Sequence, residues 1–152
     1  MIRPATAADE PALRALDLET WSSLSSPGPV PPPERPFDVG GVLVAERDGA
    51  LAGYVKLGPA LPLESARHVL EIKGLTVAPA LRRGGVGREL MESAIAGARA
   101  RGARRLILRV LAPNVAARAL YAACGFEVEG ILREHFLLDG RYVDDVLMAL
   151  VL

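Results

Sequence analysis

The sequence predicts an α/β fold in which a mixed sheet is covered by helices, on three observations. Short apolar runs bounded by Gly, Pro, Asn and Asp recur as strands do, most clearly at 41–46, 51–57, 68–77 and 105–111. Two further segments, Val86 to Gly102 and Val115 to Cys124, read as helices. Helix follows strand in the middle of the chain and meanders lie at both ends, which is the pattern of a mixed sheet. At 152 residues, 51% of them hydrophobic, the chain is long enough to bury a core and too apolar to be disordered. One domain over residues 1–152 is expected.

Ile2 to Ala5 forms a short strand. Thr6-Ala7-Ala8-Asp9 resembles a capping box, and Ala12, Leu13 and Leu16 behind it predict a helix to about Glu19. Ser22 to Pro36, crowded with Ser, Pro and Gly, sustains neither helix nor central strand and reads as a long surface loop of the same domain. Gly41 to Glu46 and Leu51 to Leu57 predict a hairpin turning at Asp48-Gly49. His68 to Val77 predicts a third strand, whose Gly74 suggests a bulge or a close backbone approach. A turn over Pro79 to Gly84 leads into the helix that Val86, Leu90, Ala94 and Ala98 define, ending at Gly102. Arg105 to Leu111 is a buried strand, and Asn114 caps a second helix with Gly125 just past its end. Phe126 to Ile131, Glu134 to Leu138 and Tyr142 to Val151 close the chain as three strands, the last two joined at Asp139-Gly140.

Lys and Arg number 18, as do Asp and Glu, so nucleic acid is not the expected partner. A single cysteine excludes an internal disulfide and a multi-cysteine zinc site. His68 and His135 have no partners at ligand spacing, and no metal is expected. The opening Met1-Ile2-Arg3-Pro4 lacks the basic-then-apolar pattern of a secretory signal. No apolar run approaches the ~20 residues that span a bilayer. A soluble cytoplasmic protein with no membrane partner is expected.

The informative stretch is Leu75-Thr76-Val77-Ala78-Pro79-Ala80-Leu81-Arg82-Arg83-Gly84-Gly85-Val86-Gly87-Arg88. A strand passes through a short turn into a glycine-rich helix start bearing three arginines. Unpaired N–H groups and the positive end of the dipole make such a start an anion site. Glycines at 84, 85 and 87 remove Cβ atoms that would hold a phosphate away. Glycines that merely turn the chain are the competing reading, but arginines here oppose the dipole unless an anion offsets them. The ATP loop, G-x-x-x-x-G-K-S/T, is absent because no lysine follows the glycines. The dinucleotide fingerprint is absent because Gly85-Val86-Gly87-Arg88-Glu89-Leu90 lacks the third glycine.

Arg82-Arg83-Gly84-Gly85-Val86-Gly87 matches R/Q-x-x-G-x-G/A, and Asn114, Ala117, Leu120-Tyr121 and Gly125-Phe126 fall on N-x-x-A-x-x-L-Y-x-x-x-G-F. With both motifs in order on a strand-helix-strand-helix frame, the chain resembles the GNAT superfamily of acetyl-coenzyme A N-acetyltransferases over essentially its whole length. The resemblance implies a single-domain GNAT fold: a mixed, mostly antiparallel central sheet with helices on both faces and a splayed cofactor cleft. It implies that the backbone of Leu75, Thr76 and Val77 pairs with the pantetheine arm. N–H groups of Arg82, Arg83, Gly84, Gly85, Val86, Gly87 and Arg88 would wrap the pyrophosphate. Asn114 would contact the pantetheine, and Tyr121 would protonate the departing thiolate. The strand holding Gly74 would carry a bulge and part from the strand at 105–111.

Asn114 and Tyr121 stand seven residues apart, two helical turns, and so share a face. Tyr121 as a plain core aromatic is the competing reading. Glu71 stands eleven residues before Arg82, which resembles the place of the glutamate base in the histone-acetylating branch of the family. A neutral amine must attack, and a lysine-like amine of pKa ~10.4 needs a base more than an α-amino group near ~7.8. Glu71 as a solvated or paired strand carboxylate is the alternative. Cys124, at a helix C-terminus where the dipole disfavours a thiolate, is a poor nucleophile. Asp144 and Asp145 read as an exposed hairpin charge pair, with attraction of a cationic acceptor the alternative.

These readings converge on transfer of an acetyl group from acetyl-CoA to a primary amine by direct attack. Acetyl-CoA is then a co-substrate, the amine acceptor the second partner, and a homodimer is left open. The rivals are a non-catalytic acyl-CoA sensing module and an enzyme of another acyl group or an oxygen acceptor. Ser22 to Pro36 and the Asp139-Gly140 hairpin are expected to border the acceptor site.

Overall fold

A computed structural model describes residues 1–152. Its strands are β1 (Ile2–Pro4), β2 (Val42–Arg47), β3 (Ala50–Pro59), β4 (Val69–Val77), β5 (Arg105–Leu111), β6 (Glu127–Leu138) and β7 (Arg141–Val151). They form one sheet in the order β1-β2-β3-β4-β5-β7-β6. Only β4 and β5 run parallel, because α2 (Val86–Ala100) carries the chain back between them; all other pairs are antiparallel. Both Asp-Gly pairs make two-residue turns with positive φ throughout: 52° and 76° at Asp48-Gly49, 51° and 76° at Asp139-Gly140. No helix is long and apolar enough to cross a membrane.

Alternation along β2 and β3 divides the core between the two faces of the sheet. Val42, Val44 and Tyr54 cluster with Leu13 and Leu16 of α1 (Glu10–Thr20) on one face. Ala45, Val55, Leu57, Leu70 and Ile72 meet α2 on the other, where Leu90, Met91, Ala94 and Ala98 are buried. α3 (Val115–Ala123) adds Tyr121 to that larger cluster. Helices therefore cover both faces. The capping box at Thr6 and Asp9 closes a 3-10 turn, Ala7–Asp9, and α1 begins directly after it. Arg3 bonds to both Asp9 and Glu46, tying β1 to that turn and to β2.

β4 and β5 pair only from Val69↔Arg105 to Ile72↔Leu108. Beyond that, β4 continues to Val77 beside β3 and β5 to Leu111 beside β7, so the two strands part and leave a cleft. The parting begins at a bulge. Ile72 pairs with Leu57 and Gly74 with Lys56, which leaves Lys73 without a partner on β3. At the end of the chain the structure differs from expectation. The strands expected at Phe126 to Ile131 and Glu134 to Leu138 are joined in one, β6, which begins at Glu127 and bends where Leu132 pairs with Asp145 and Phe136 with Val143. Glu134, at φ 47°, takes up the extra residues without ending the ladder.

Candidate active site

The strand side of the cleft is set by β4. Ala78 donates its N–H to Ala52 O of β3 at 2.8 Å. Alternation then turns the N–H and C=O of Thr76 toward β3 and those of Leu75 and Val77 toward the open side. Of the three residues expected to offer backbone, Thr76 is the exception, because its peptide groups belong to the ladder.

Gly85 is the N-cap of α2, with φ 87° in the left-handed region, and no side chain caps the helix. Arg82 and Gly84 direct their N–H groups to Pro79 and Leu81, both at 3.4 Å. Those of Arg83, Gly85, Val86, Gly87 and Arg88 donate to no protein acceptor, and the ladder of α2 opens with Glu89 donating to Gly85. Free N–H groups at the positive end of a 15-residue helix form an anion cradle. A Cβ on Gly85 would meet nothing within 4 Å, so the space beside it is open. On Gly87 it would stand 3.2 Å from Leu120 and 3.6 Å from Val77. That glycine therefore lets α2 close on α3 and β4, a different task from the phosphate clearance expected of it. Arg88 pairs with Glu92 at 2.9 Å, whereas Arg82 and Arg83 stand exposed without an acidic partner.

A cavity of about 160 Å³ lies between the parted strands, with Gly74, Leu75, Arg109, Asn114 and Tyr121 in its lining. Asn114 caps α3, its Oδ1 accepting the N–H of Ala117 at 3.3 Å, which leaves the amide NH₂ free to donate. Tyr121 is 8% exposed and packs 6.2 Å from the ring of Phe126. Its hydroxyl has no protein partner, yet no sealed side-chain oxygen lacks one, so the hydroxyl opens on the cavity. Burial pushes its pKa up to about 12, which keeps it a donor at neutral pH.

Glu71 is not brought to this cleft. Leu70 and Ile72 beside it bury toward α2, so its side chain lies on the α1 face, where β4 is still paired to Gly58 and Ile107. It is half-buried, makes no ion pair or hydrogen bond, and lines neither cavity described here. Asp144 and Asp145 are not an exposed pair. Asp145 is 3% exposed and accepts Arg109 Nε at 2.6 Å, while Asp144 accepts the N–H of Glu134 at 2.8 Å. They brace β5 and the bend of β6 instead. Burial pushes the Cys124 thiol up, away from thiolate chemistry.

A second cavity, about 400 Å³, opens on the α1 face and meets the first at Lys73 and Gly74. Sequence reasoning missed its residues outside the loop. Arg14, Asp17 and Leu18 of α1 line it with Trp21 just past the helix end, at the i, i+3, i+4, i+7 spacing that was the available signal. Asp17 Oδ1 accepts the Tyr54 hydroxyl at 2.6 Å, and Phe37 packs edge-on against Tyr54 at 5.2 Å. Burial, with Asp17 beside it, raises the Tyr54 phenol above its ordinary value. Pro31, Pro32, Arg35 and Pro36 bring the loop to this cavity, and Ser25 brings it to the cleft. Ser23 donates to Asp139, so the tip of the β6–β7 hairpin touches the loop without lining either cavity.

Residues 11–126 match the model of the Acetyltransferase (GNAT) family. The chain is 40% identical over 107 residues to the phosphinothricin N-acetyltransferase of Alcaligenes faecalis, across 70% of this chain and 54% of that protein. It thus spans about half of that relative's length. The crystal structure of ribosomal-protein-alanine N-acetyltransferase from Brucella melitensis is similar at a TM-score of 0.82 and 34% identity, covering 100% of this chain and 99% of that one. A phosphinothricin acetyltransferase from Sinorhizobium meliloti, solved with AcCoA, shares the fold at a TM-score of 0.88 and 22% identity, covering 100% and 88%. The family match takes in β4, the cradle of α2 and all of α3, and on that ground the chain belongs to the acetyltransferase (GNAT) family.

Proposed function

We propose that the protein transfers an acetyl group from acetyl-CoA directly to a primary amine. One observation carries the reading: the cavity between the parted strands holds Leu75, Asn114 and Tyr121, and β4 leads from it through Val77 to the free N–H groups at the start of α2. Acetyl-CoA supplies the activated acyl group. Its pyrophosphate fits the cradle, with Arg83 free to pair with it and Arg82 held only by a 3.4 Å bond from its Nε to Val77 O. The peptide groups of Leu75 and Val77 can take the pantetheine amides as a sheet edge takes a further strand. A β4 N–H of this set then stabilises the carbonyl oxygen as charge develops on it.

Tyr121 acts at the sulfur. A phenol near 12 does not pass its proton completely to a thiolate whose acid ionises near ~8.5. Tyr121 therefore holds the leaving sulfur by a hydrogen bond, and the proton lost by the amine completes the thiol. This is a weaker role than the full proton donation the resemblance implies. Glu71, lining neither cavity, serves as base only through intervening water. The acceptor enters by the larger cavity, which joins the cleft at Lys73-Gly74. The relatives' names, N-acetyltransferases of phosphinothricin and of a ribosomal-protein alanine, support nitrogen as the acceptor atom. The reading fits work in the cytoplasm.

Thiol release from acetyl-CoA across a panel of primary amines, with mass spectrometry of the products, tests this. Amine-dependent release and a single added acetyl on nitrogen are expected. Tight CoA binding without release on any amine would point to a sensing module, and an ester product would move the acceptor atom to oxygen.

A further inference from the structure

Charge in the larger cavity is unevenly compensated. Arg14, Arg35, Lys56, Lys73, Asp17 and Asp38 line it. Lys56 is matched by Asp38 at 3.1 Å and Arg14 by Glu10 at 3.4 Å. Arg35 and Lys73 have no acidic partner. Asp17 has no cationic partner, because its carboxylate bonds only to the neutral Tyr54 hydroxyl at 2.6 Å. Two free cations and one free carboxylate therefore face the same space.

Their placement is ordered. The Tyr54 hydroxyl stands 3.8 Å from where a Cβ on Gly74 would lie, at the residue the two cavities share. An ammonium held on Asp17 is thereby next to the point where the cavities join. Lys73 issues from the bulge, and its stem crosses β3 over Gly58, where a Cβ would stand 3.2 Å from Lys73 Cε. Arg35 comes from the loop.

We propose that the acceptor is a free α-amino acid bound as a zwitterion, its ammonium on Asp17 and its carboxylate on Arg35 and Lys73. The proposal rests on the acetyl-transfer reading above. A peptide N-terminus or a plain alkylamine carries no carboxylate close to its nitrogen and leaves both cations unpaired. Leu18, Trp21 and Phe37 give the remaining wall an apolar surface for the side chain.

The experiment compares L-methionine and L-leucine with their α-carboxamides on the full chain. It reads kcat/KM by thiol release from acetyl-CoA, and binding by calorimetry on the CoA-loaded protein at about pH 6.5, where both kinds of amine are largely charged. The acids are expected to exceed the amides by about tenfold or more in both readouts, the contribution of a charge-assisted pair. Lys73→Gln and Arg35→Gln should each bring that ratio toward one, mainly by raising KM for the acid. Asp17→Asn should weaken acids and amides alike. A ratio near one in the unaltered protein overturns the proposal, as does an unchanged ratio in both cation variants. Preference for the amides or for an alanyl tripeptide also overturns it and points to a peptide N-terminus. Calorimetric preference for the acids without turnover on any amine upholds the recognition while contradicting acetyl transfer, so the two failures are distinguishable.

Discussion

The cleft that leads along β4 to the cradle at the start of α2 and the cavity beneath α1 meet at the same bulge, Lys73-Gly74, yet the cradle and the cavity are built from different materials. The cradle and the strand leading to it are backbone groups from one continuous stretch, residues 75–88. The cavity is a set of side chains from α1, the loop, β3 and β4, brought together only by folding. A backbone site is sensitive where conformation is set and tolerant elsewhere. A side-chain site responds to each residue that faces it.

That contrast breaks most visibly at Gly85. Gly85→Asp strains a left-handed N-cap at φ 87° and sets a carboxylate beside the free N–H groups. CoA affinity should fall by roughly 100-fold or more, as charge repulsion adds to lost anion contacts. Calorimetry reads the loss, with circular dichroism confirming the fold. Gly85→Asn, which tolerates the left-handed region and carries no charge, should lose less than about tenfold. Equal losses in the two variants would assign the effect to strain and not to an anion site.

Tyr121→Phe comes next and acts on chemistry instead of binding. Turnover should fall by roughly 10- to 1000-fold while CoA affinity barely changes. Because burial holds the phenol near 12, its proton is retained through neutral and mildly alkaline pH. The unaltered enzyme should therefore show no falling limb in kcat up to about pH 10. A falling limb below that pH, absent in the Phe variant, would contradict the assignment.

Arg83→Ala should weaken CoA binding by about tenfold, one charge-assisted bond's worth. Both residues must hold φ 64° there, so the change isolates the guanidinium from the backbone strain. Glu71→Gln should have the smallest effect: a few-fold loss near pH 7 on an alkylamine, fading as pH approaches that amine's own pKa of ~10.4. A loss independent of pH, and equal on a weakly basic amine, would make Glu71 structural.

The same contrast explains what was legible before folding. Gly85 as a left-handed cap, Asn114 as a helix cap and Gly74 beside a bulge are local conformational demands, and local demands leave marks on adjacent residues. Asp17 with Tyr54 and Arg109 with Asp145 join residues 37 and 36 positions apart, and spacing carries no trace of either. Asp145 reads as an exposed hairpin charge because only the pairing of β5 with β7 buries it. Thr76 reads like its neighbours because the bulge at Lys73, which decides which peptide groups face the cleft, depends on register with β3. Gly87 gives its N–H to the cradle, but the absence of its Cβ answers to Leu120 on another helix.

Amide-resolved NMR of isotope-labelled protein titrated with CoA tests the central claim most directly, that coenzyme is held by backbone at the parted strands and the start of α2. The expected result is the largest shifts at Leu75, Val77, Arg83, Gly85, Val86, Gly87 and Arg88, with Thr76 moving less and Asp17 and Leu18 of α1 least. Shifts concentrated on α1 and the loop at 31–36, with the cradle amides unmoved, would contradict it.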